Sequence, residues 1–184
     1  MYLPSGTVSL EGLLFPDTYQ VSNGESERQV VARMVKLTER VGRQEGLDDP
    51  LLRGNLSPYE VLVVASLIER EARFDDDRPK IARVILNRLA VGMPLQIDAS
   101  LYYGQDNRTP FATLKARDTP YNTYLHTGLP PTPIAMPGKA ALMAAVQPAN
   151  SQALYFVAKG DGSSHFSASL DEHNRAVNRY QRGR

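Results

Sequence analysis

The chain has 184 residues, of which 42% are hydrophobic and 22% are charged, and these values are typical of one globular domain with a substantial core. Its formal net charge is +1, which excludes the strongly basic surface expected of a protein that binds nucleic acid or anionic membranes. It has no cysteine, which excludes a thiol nucleophile, thiolate metal ligands and a disulfide framework.

The first quarter of the chain predicts short extended segments followed by a helix. Residues 7–21 contain apolar runs that are broken by Gly12 and Pro16, so we expect extended segments around a turn. An amphipathic helix is predicted over residues 25–45, and Gly46 ends it.

The segment 57–73 (SPYEVLVVASLIEREAR) predicts the central helix of the domain. Ser57 followed by Glu60 forms a capping box, and Pro58 occupies the first turn, where helices tolerate proline. Helical periodicity places Glu71 within the apolar stripe and Ser66 on the opposite side of the helix. The stripe itself consists of Val61, Val64, Ala65, Leu67, Ile68 and Ala72.

Glu71 is the candidate for chemistry, because a carboxyl group in an apolar stripe is costly unless it is paired or used. Desolvation raises the pKa of such a group, which suits a general acid working near neutral pH. A buried ion pair with an arginine is the alternative, and the periodicity alone leaves both open.

A third helix is predicted over residues 78–91, with Asn87 as a contact to a buried group. A long segment over residues 92–137 follows with little regular periodicity, and it is rich in tyrosine. Aromatic rings interleaved with polar side chains suit a sugar-binding groove, and an aromatic core beneath a loop is the alternative. Asp98 in this segment is a candidate second carboxylate, although a structural role in a turn fits it equally well.

The last part of the chain predicts a short helix, a β-hairpin and a terminal helix. The helix covers residues 138–147, the two strands cover 153–159 and 164–169, and the terminal helix starts at Leu170. The predicted fold class is therefore α+β, mostly helical with a small sheet.

No cofactor or metal site is expected from the sequence. The three histidines, His126, His165 and His173, lack metal-site spacing, and each fits a structural or exposed position better than a catalytic one. Nucleophile-elbow, P-loop and dinucleotide-binding motifs are absent from the sequence. The remaining chemistry is acid–base catalysis by one carboxylate beside an aromatic groove.

In order along almost the whole chain, the sequence resembles the YceG-like (MltG) family of endolytic murein transglycosylases. The pattern YNTY followed by GLPPTPI makes the resemblance specific. The segments that carry it are LEGLLFPDTY (10–19), ASLIEREA (65–72), ILNRLAVGMPLQIDASLYYG (85–104), PYNTYLHTGLPPTPIAMPG (120–138), QPANSQALYFV (147–157) and HFSASLDEHN (165–174).

The resemblance implies a lysozyme-like catalytic domain with long ordered active-site loops. It implies cleavage of the β-1,4 bond between N-acetylmuramic acid and N-acetylglucosamine within peptidoglycan strands, leaving 1,6-anhydro ends. Glu71 would act first as acid and then as base. The substrate-binding residues that it implies are Gln96, Asp98, Tyr103, Asn122 and Tyr124. The chain reads Gln96-Ile97-Asp98-Ala99 where many relatives have Ser or Thr at the second position and Pro at the fourth.

The resemblance also implies a longer parent protein at the outer face of the bacterial cytoplasmic membrane, held there by an N-terminal helix. Residues 1–21 would be a remnant of a preceding LysM-like region, and residues 22–184 the transglycosylase domain. The expected partners are peptidoglycan strands and, for the full-length protein, cell-wall synthases, with no nucleic acid. The alternatives are a hydrolytic muramidase that uses Glu71 and Asp98, and a non-catalytic glycan-binding module.

Overall fold

The computed structural model describes residues 2–4, 6, 9–106 and 108–182. It contains helices around a central helix and one two-stranded antiparallel sheet, which confirms the predicted α+β class. The helices are Glu27–Gln44 (α1), Pro50–Arg53 (α2), Pro58–Glu71 (α3), Arg78–Ala90 (α4), Asp98–Tyr102 (α5), Phe111–Ala116 (α6), Lys139–Val146 (α7) and Leu170–Val177 (α8). The strands are Tyr155–Ala158 (β1) and Ser164–Ser167 (β2). None of the helices in the described part of the chain is long and apolar enough to cross a bilayer.

Helix α3 is the centre of the core, and its start is the predicted capping box. The Ser57 hydroxyl accepts a hydrogen bond from the Glu60 amide at 3.2 Å, and the Glu60 carboxylate accepts one from the Ser57 amide at 2.7 Å. Every residue from Val61 to Ile68 is buried, and α4, α5 and α7 pack against the helix. The helix ends at Glu71, because Ala72 has an extended backbone.

Ser66 lies on the side of α3 opposite the predicted apolar stripe, and that side is buried as well. Ser66 is fully buried, its hydroxyl donates to the Val63 carbonyl at 2.7 Å, and it accepts from the Ile134 amide at 3.0 Å. The chain around Ile134 therefore covers the side of α3 opposite the apolar stripe. The central helix therefore has two buried faces, and a hydroxyl satisfies the backbone amide that crosses the second.

The expectation of extended segments before α1 is wrong for residues 9–21, which form turns and irregular chain, while residues 7 and 8 lie outside the described residues. Leu13 is buried, and its carbonyl accepts from the Thr38 hydroxyl at 2.7 Å, which ties this segment to α1. Gly12 has a φ of +76°, and a Cβ atom there would lie 2.4 Å from the Pro133 side chain. Glycine therefore permits the close packing of this turn on the proline-rich segment.

Helix α4 fixes the position of the β-hairpin. The Arg83 side chain donates to the Ala149 carbonyl at 2.7 Å, and the Asn87 amide donates to the Ser151 and Ala153 carbonyls at 3.1 and 2.9 Å. Asn87 thus contacts buried backbone carbonyls, as a polar side chain on a core-facing helix must find a partner. The strands pair in the register Tyr155↔Ser167 to Ala158↔Ser164, and α8 packs against both.

Candidate active site

A cavity of about 290 Å³ lies at the carboxyl end of α3. It joins the end of the central helix to α4, to the chain around residues 95–98, to the hairpin and to α8. Its lining residues are Glu71, Arg88, Leu95, Gln96, Asp98, Tyr124, Tyr155, Phe156, Leu170 and His173. Four of the six residues predicted for the site, Glu71, Gln96, Asp98 and Tyr124, therefore line one cavity.

Glu71 is half-buried at the last position of α3, and one of its carboxylate oxygens accepts from the Ala99 amide at 3.4 Å. Burial raises the pKa of the Glu71 carboxyl and the nearby charge of Asp98 raises it further, while the Ala99 amide and Arg70 act in the opposite direction. None of the ion pairs among the described residues includes Glu71. The alternative of a buried ion pair thus finds no support, and the carboxyl retains its proton to a higher pH than an exposed glutamic acid.

Asp98 and Tyr124 form a hydrogen-bonded pair in the same cavity. The Tyr124 hydroxyl donates to the Asp98 carboxylate at 2.5 Å, and the Lys115 ammonium lies 4.4 Å from the centre of the Tyr124 ring. Burial, together with the hydrogen bond and charge of Asp98, raises the pKa of the Tyr124 hydroxyl. The phenol therefore remains a donor to the Asp98 carboxylate.

The backbone at Gln96 is strained, and Thr123 holds it in place. Gln96 has a φ of +51°, the only positive value among the non-glycine residues that the structure describes. The Gln96 amide donates to the Thr123 carbonyl at 2.9 Å, and the Ile97 amide donates to the Thr123 hydroxyl at 2.9 Å. A left-handed conformation costs a non-glycine residue about 1–2 kcal/mol. In this conformation the Gln96 side chain is exposed and lies in the cavity lining.

We expect Gln96→Gly to separate stability from glycan binding. Glycine relieves about 1–2 kcal/mol of backbone strain and loses about 0.5–1 kcal/mol through the greater entropy of its unfolded chain, so Gln96→Gly should be more stable than the parent by up to about 1 kcal/mol. Gln96→Ala keeps the strain and should be less stable than Gln96→Gly. Both variants should lose glycan affinity, because both lose the side-chain amide. Thermal unfolding and a glycan-binding isotherm would check this, and equal stability of the two variants would contradict the role of strain.

Two residues predicted to line the groove lie outside the cavity. Tyr103 packs its ring 4.6 Å from that of Tyr121, and its hydroxyl donates to Glu11 at 3.3 Å. Asn122 is fully buried. Its amide nitrogen donates to the Lys115 and Arg117 carbonyls, at 3.0 and 2.8 Å. Asn122 therefore shapes the loop that carries Thr123 and Tyr124, which corrects the prediction that its side chain faces the sugar.

Six cavity residues were not among the predicted site residues, and three of them carry polar groups: Arg88, Tyr155 and His173. Arg88 is buried on α4, and its guanidinium donates to the Leu154 carbonyl at 2.6 Å and the Leu95 carbonyl at 2.8 Å. The Tyr155 ring stacks on the His173 ring with 5.2 Å between centroids. The expectation that all histidines are structural or exposed thus misses the position of His173. An arginine within the apolar stripe of α4 was the available signal.

A larger groove, of about 680 Å³, lies between residues 17–20 and α1. The Tyr19 hydroxyl in it donates to the Phe15 carbonyl at 2.7 Å, and Arg33 pairs with Glu25. These side chains are engaged within the protein, and the groove contains no half-buried acid. The features of acid–base chemistry therefore belong to the smaller cavity. No cluster of three or more potential metal ligands occurs within the described ranges.

The fold and the cavity define a mostly helical α+β domain with a desolvated carboxyl at the end of its central helix. The chain belongs to the YceG-like family, whose model matches residues 3–179. The crystal structure of a YceG-like protein from Listeria monocytogenes superimposes with a TM-score of 0.81 at 38% sequence identity, covering 90% of this chain and 55% of that one.

Two relatives carry a name that describes an activity. An endolytic murein transglycosylase of Bacillus subtilis is 39% identical over 175 residues, which is 93% of this chain and 48% of the relative. An endolytic murein transglycosylase of Streptococcus pneumoniae is 31% identical over 176 residues, which is 91% of this chain and 32% of the relative. The chain thus spans about half of the first relative and about a third of the second.

Proposed function

We propose that this domain is a lytic transglycosylase that cleaves peptidoglycan strands internally. The bond would be the β-1,4 linkage between N-acetylmuramic acid and N-acetylglucosamine, and the product would carry a 1,6-anhydro end. The observation that carries this proposal is the single desolvated carboxyl of Glu71 in a cavity with aromatic and polar walls. The names of the Bacillus and Streptococcus relatives support the same substrate and reaction.

In this proposal Glu71 acts twice. The protonated carboxyl donates its proton to the glycosidic oxygen, so that the bond to C1 breaks and the leaving sugar departs with a hydroxyl group. The resulting carboxylate then removes the proton from the C6 hydroxyl while that oxygen bonds to C1. Glu71 ends protonated and no water is consumed. The raised pKa of Glu71 supports the first step, because the group must hold a proton near neutral pH.

The position of Asp98 supports a reaction with one acid–base carboxylate. A hydrolase needs a second carboxylate that activates water or attacks C1. One oxygen of Asp98 already accepts a hydrogen bond from the Tyr124 hydroxyl, so this oxygen is not free to activate water or to attack C1. Asp98 can instead act through its charge, which raises the pKa of Glu71 and would favour positive charge developing at C1. Gln96 and Tyr124 then serve as polar contacts that position the sugar.

The organisation and location of the protein are part of the proposal. Residues 22–184 would form the catalytic domain, and residues 1–21 the end of a preceding LysM-like region. A peptidoglycan substrate places the action outside the cytoplasm, at the outer face of the cytoplasmic membrane, where the full-length protein would terminate nascent strands beside cell-wall synthases. Only the murein named for the relatives supports this location.

Mass spectrometry of the products from uncrosslinked peptidoglycan strands tests the function. Strand ends that are lighter by one water than ordinary reducing ends are expected. Hydrated reducing ends would mean a hydrolase, and Asp98→Asn would then abolish turnover. Intact strands combined with measurable glycan binding would mean a binding module. Either of the last two results would overturn the proposal.

A further inference from the structure

Part of the cavity wall is built by three residues that the proposed acid–base steps do not use. Arg88 comes from α4, Tyr155 from β1 and His173 from α8. The guanidinium carbon of Arg88 lies 5.3 Å from the centre of the Tyr155 ring, and the imidazole of His173 stacks on the same ring. Apolar surface from Phe156 and Leu170 adjoins them in the cavity lining.

The imidazole of His173 has one nitrogen available to a ligand. Its Nδ1 is buried without a hydrogen-bond partner, so Nε2 is the nitrogen that can face the cavity. Burial, Arg88 and His165 lower the pKa of His173, so the ring is neutral near pH 7. A hydrogen on the buried Nδ1 would be a donor without an acceptor, which is rarer in folded proteins than an unpaired lone pair. The single hydrogen is therefore on Nε2, which is a donor.

Arg88 supplies a second donor. Its Nε donates to the Leu154 carbonyl, and its Nη1 donates to the Pro94 and Leu95 carbonyls at 3.1 and 2.8 Å. These bonds fix the plane of the guanidinium. Its Nη2 forms no hydrogen bond with any residue in the described part of the chain. A rigid donor without an acceptor, in the lining of a cavity, is suited to an oxygen of a ligand.

We propose that Arg88, Tyr155 and His173 form a subsite for the acetamido group of an N-acetylated sugar. The acetamido oxygen accepts from His173 Nε2 and Arg88 Nη2, and the methyl group packs on the apolar surface of Tyr155, Phe156 and Leu170. A sugar hydroxyl fits less well, since it would bring a hydrogen of its own and no methyl group. This inference rests on the proposed function, because it names the part of the glycan that the same cavity recognises.

The test measures glycan binding to the Glu71→Gln variant, which cannot turn the ligand over. The probes are chitotetraose and cellotetraose, which share the β-1,4 linkage and differ by the acetamido groups. Chitotetraose is expected to bind at least about 10-fold more tightly, from one to two hydrogen bonds and a buried methyl. Nitrogen NMR of the three histidines should show His173 as the Nε2–H tautomer. The His173 signals should shift when chitotetraose binds, and His126 and His165 serve as internal references.

Substitution of the His173 donor is the second part of the test. His173→Phe keeps a ring on Tyr155 and removes the donor, so chitotetraose affinity should fall about 5- to 10-fold while cellotetraose affinity stays the same. His173→Gln places an amide hydrogen near the position of Nε2 and should recover part of the loss. The matched control is His126→Phe, because His126 lies outside the cavity and pairs with Asp118 at 2.6 Å. It should bind both sugars as the parent does.

Three results would overturn the inference: equal affinity for the two sugars, equal loss of both in His173→Phe, or no binding of chitotetraose at millimolar concentration. Failure of the proposed function is a separate result. Preference for chitotetraose without cleavage of peptidoglycan by the unsubstituted protein would keep the acetamido subsite and remove the transglycosylase. Anhydro products without a preference for chitotetraose would keep the transglycosylase and remove the acetamido subsite.

Discussion

Glu71→Gln is expected to slow glycan cleavage by about 10²- to 10⁴-fold, the usual contribution of a positioned acid–base group. The amide has nearly the same shape as the carboxyl group, but it can neither protonate the glycosidic oxygen nor take the proton from the C6 hydroxyl. The Ala99 amide, 3.4 Å from the carboxylate, can still donate to the amide oxygen, so the end of α3 should remain intact. Release of anhydro ends from peptidoglycan, quantified by mass spectrometry over time, measures the effect.

Glu69→Gln is the matched control, since it makes the same change two residues earlier on the same helix. Glu69 accepts from the Gly138 amide at 3.1 Å, lies 3.5 Å from the Arg78 guanidinium and is outside the cavity. This variant should cleave strands at nearly the parent rate. A similar loss in both variants, or more than a tenth of the parent rate in Glu71→Gln, would show that Glu71 is not the acid–base group.

The same substitution has a second consequence, for stability. The pKa of Glu71 is raised in the folded protein, so between the ordinary glutamate pKa and the folded value the native state binds more protons than the unfolded state. The contribution of this group to the free energy of unfolding therefore falls as pH rises through that window. Above the folded pKa, the destabilisation caused by ionised, buried Glu71 stays at its full value. Glu71→Gln should then be at least as stable as the parent at pH 7–8 and lose this advantage below the glutamate pKa. Urea denaturation across pH 3–8 checks the sign.

Local sequence signals determined much of the fold. The cap at Ser57 predicts where α3 begins, and helical spacing predicts that Glu71 is desolvated at its end. The cap at Ser169 likewise predicts the start of α8. These features depend on residues within a few positions of each other, so no knowledge of the tertiary structure is needed.

Features that depend on contacts between residues far apart in the chain could not be predicted from the sequence. The partner of Ser66 is the Ile134 amide, 68 positions along the chain, so periodicity could not indicate a second buried face on α3. His173 reaches the cavity only because Arg88 and Asn87 fix the chain before β1 and α8 packs on the hairpin. The stacking of His173 on Tyr155 is a product of that arrangement. No spacing within the sequence places these two side chains beside Glu71.

The error at Asn122 has a different origin. A polar residue among tyrosines looks the same in sequence whether its amide binds a sugar or replaces missing backbone hydrogen bonds. Its amide nitrogen donates to Lys115 and Arg117, and its oxygen accepts from the Tyr124 and Leu125 amides at 3.0 and 3.3 Å. The side chain thus closes the loop internally, and composition alone does not distinguish this role from ligand binding.

Asn122→Asp is expected to reduce the free energy of unfolding by about 3–5 kcal/mol at neutral pH, the range for an uncompensated buried charge. The new carboxylate oxygen would face the Lys115 and Arg117 carbonyls at the present 3.0 and 2.8 Å, where a donor is required, and no solvent reaches the site. Activity should fall as well, because the next residues are Thr123, which holds the Gln96 backbone, and Tyr124, which donates to Asp98. Urea denaturation measures the loss, which should shrink at low pH as the new carboxyl group gains a proton and can donate again.

Asn55→Asp is the control for this change, since Asn55 is exposed and the same substitution there should alter stability by less than about 0.5 kcal/mol. The two roles considered for Asn122 predict opposite patterns. A residue that lines the groove would lose glycan affinity in Asn122→Asp at nearly unchanged stability. A residue that closes the loop loses stability first, and the loss of binding follows from the displaced Thr123 and Tyr124. A stability loss below about 1 kcal/mol would be no more than that of one ordinary hydrogen bond. It would contradict the loop-closing role and favour a position of Asn122 in the groove.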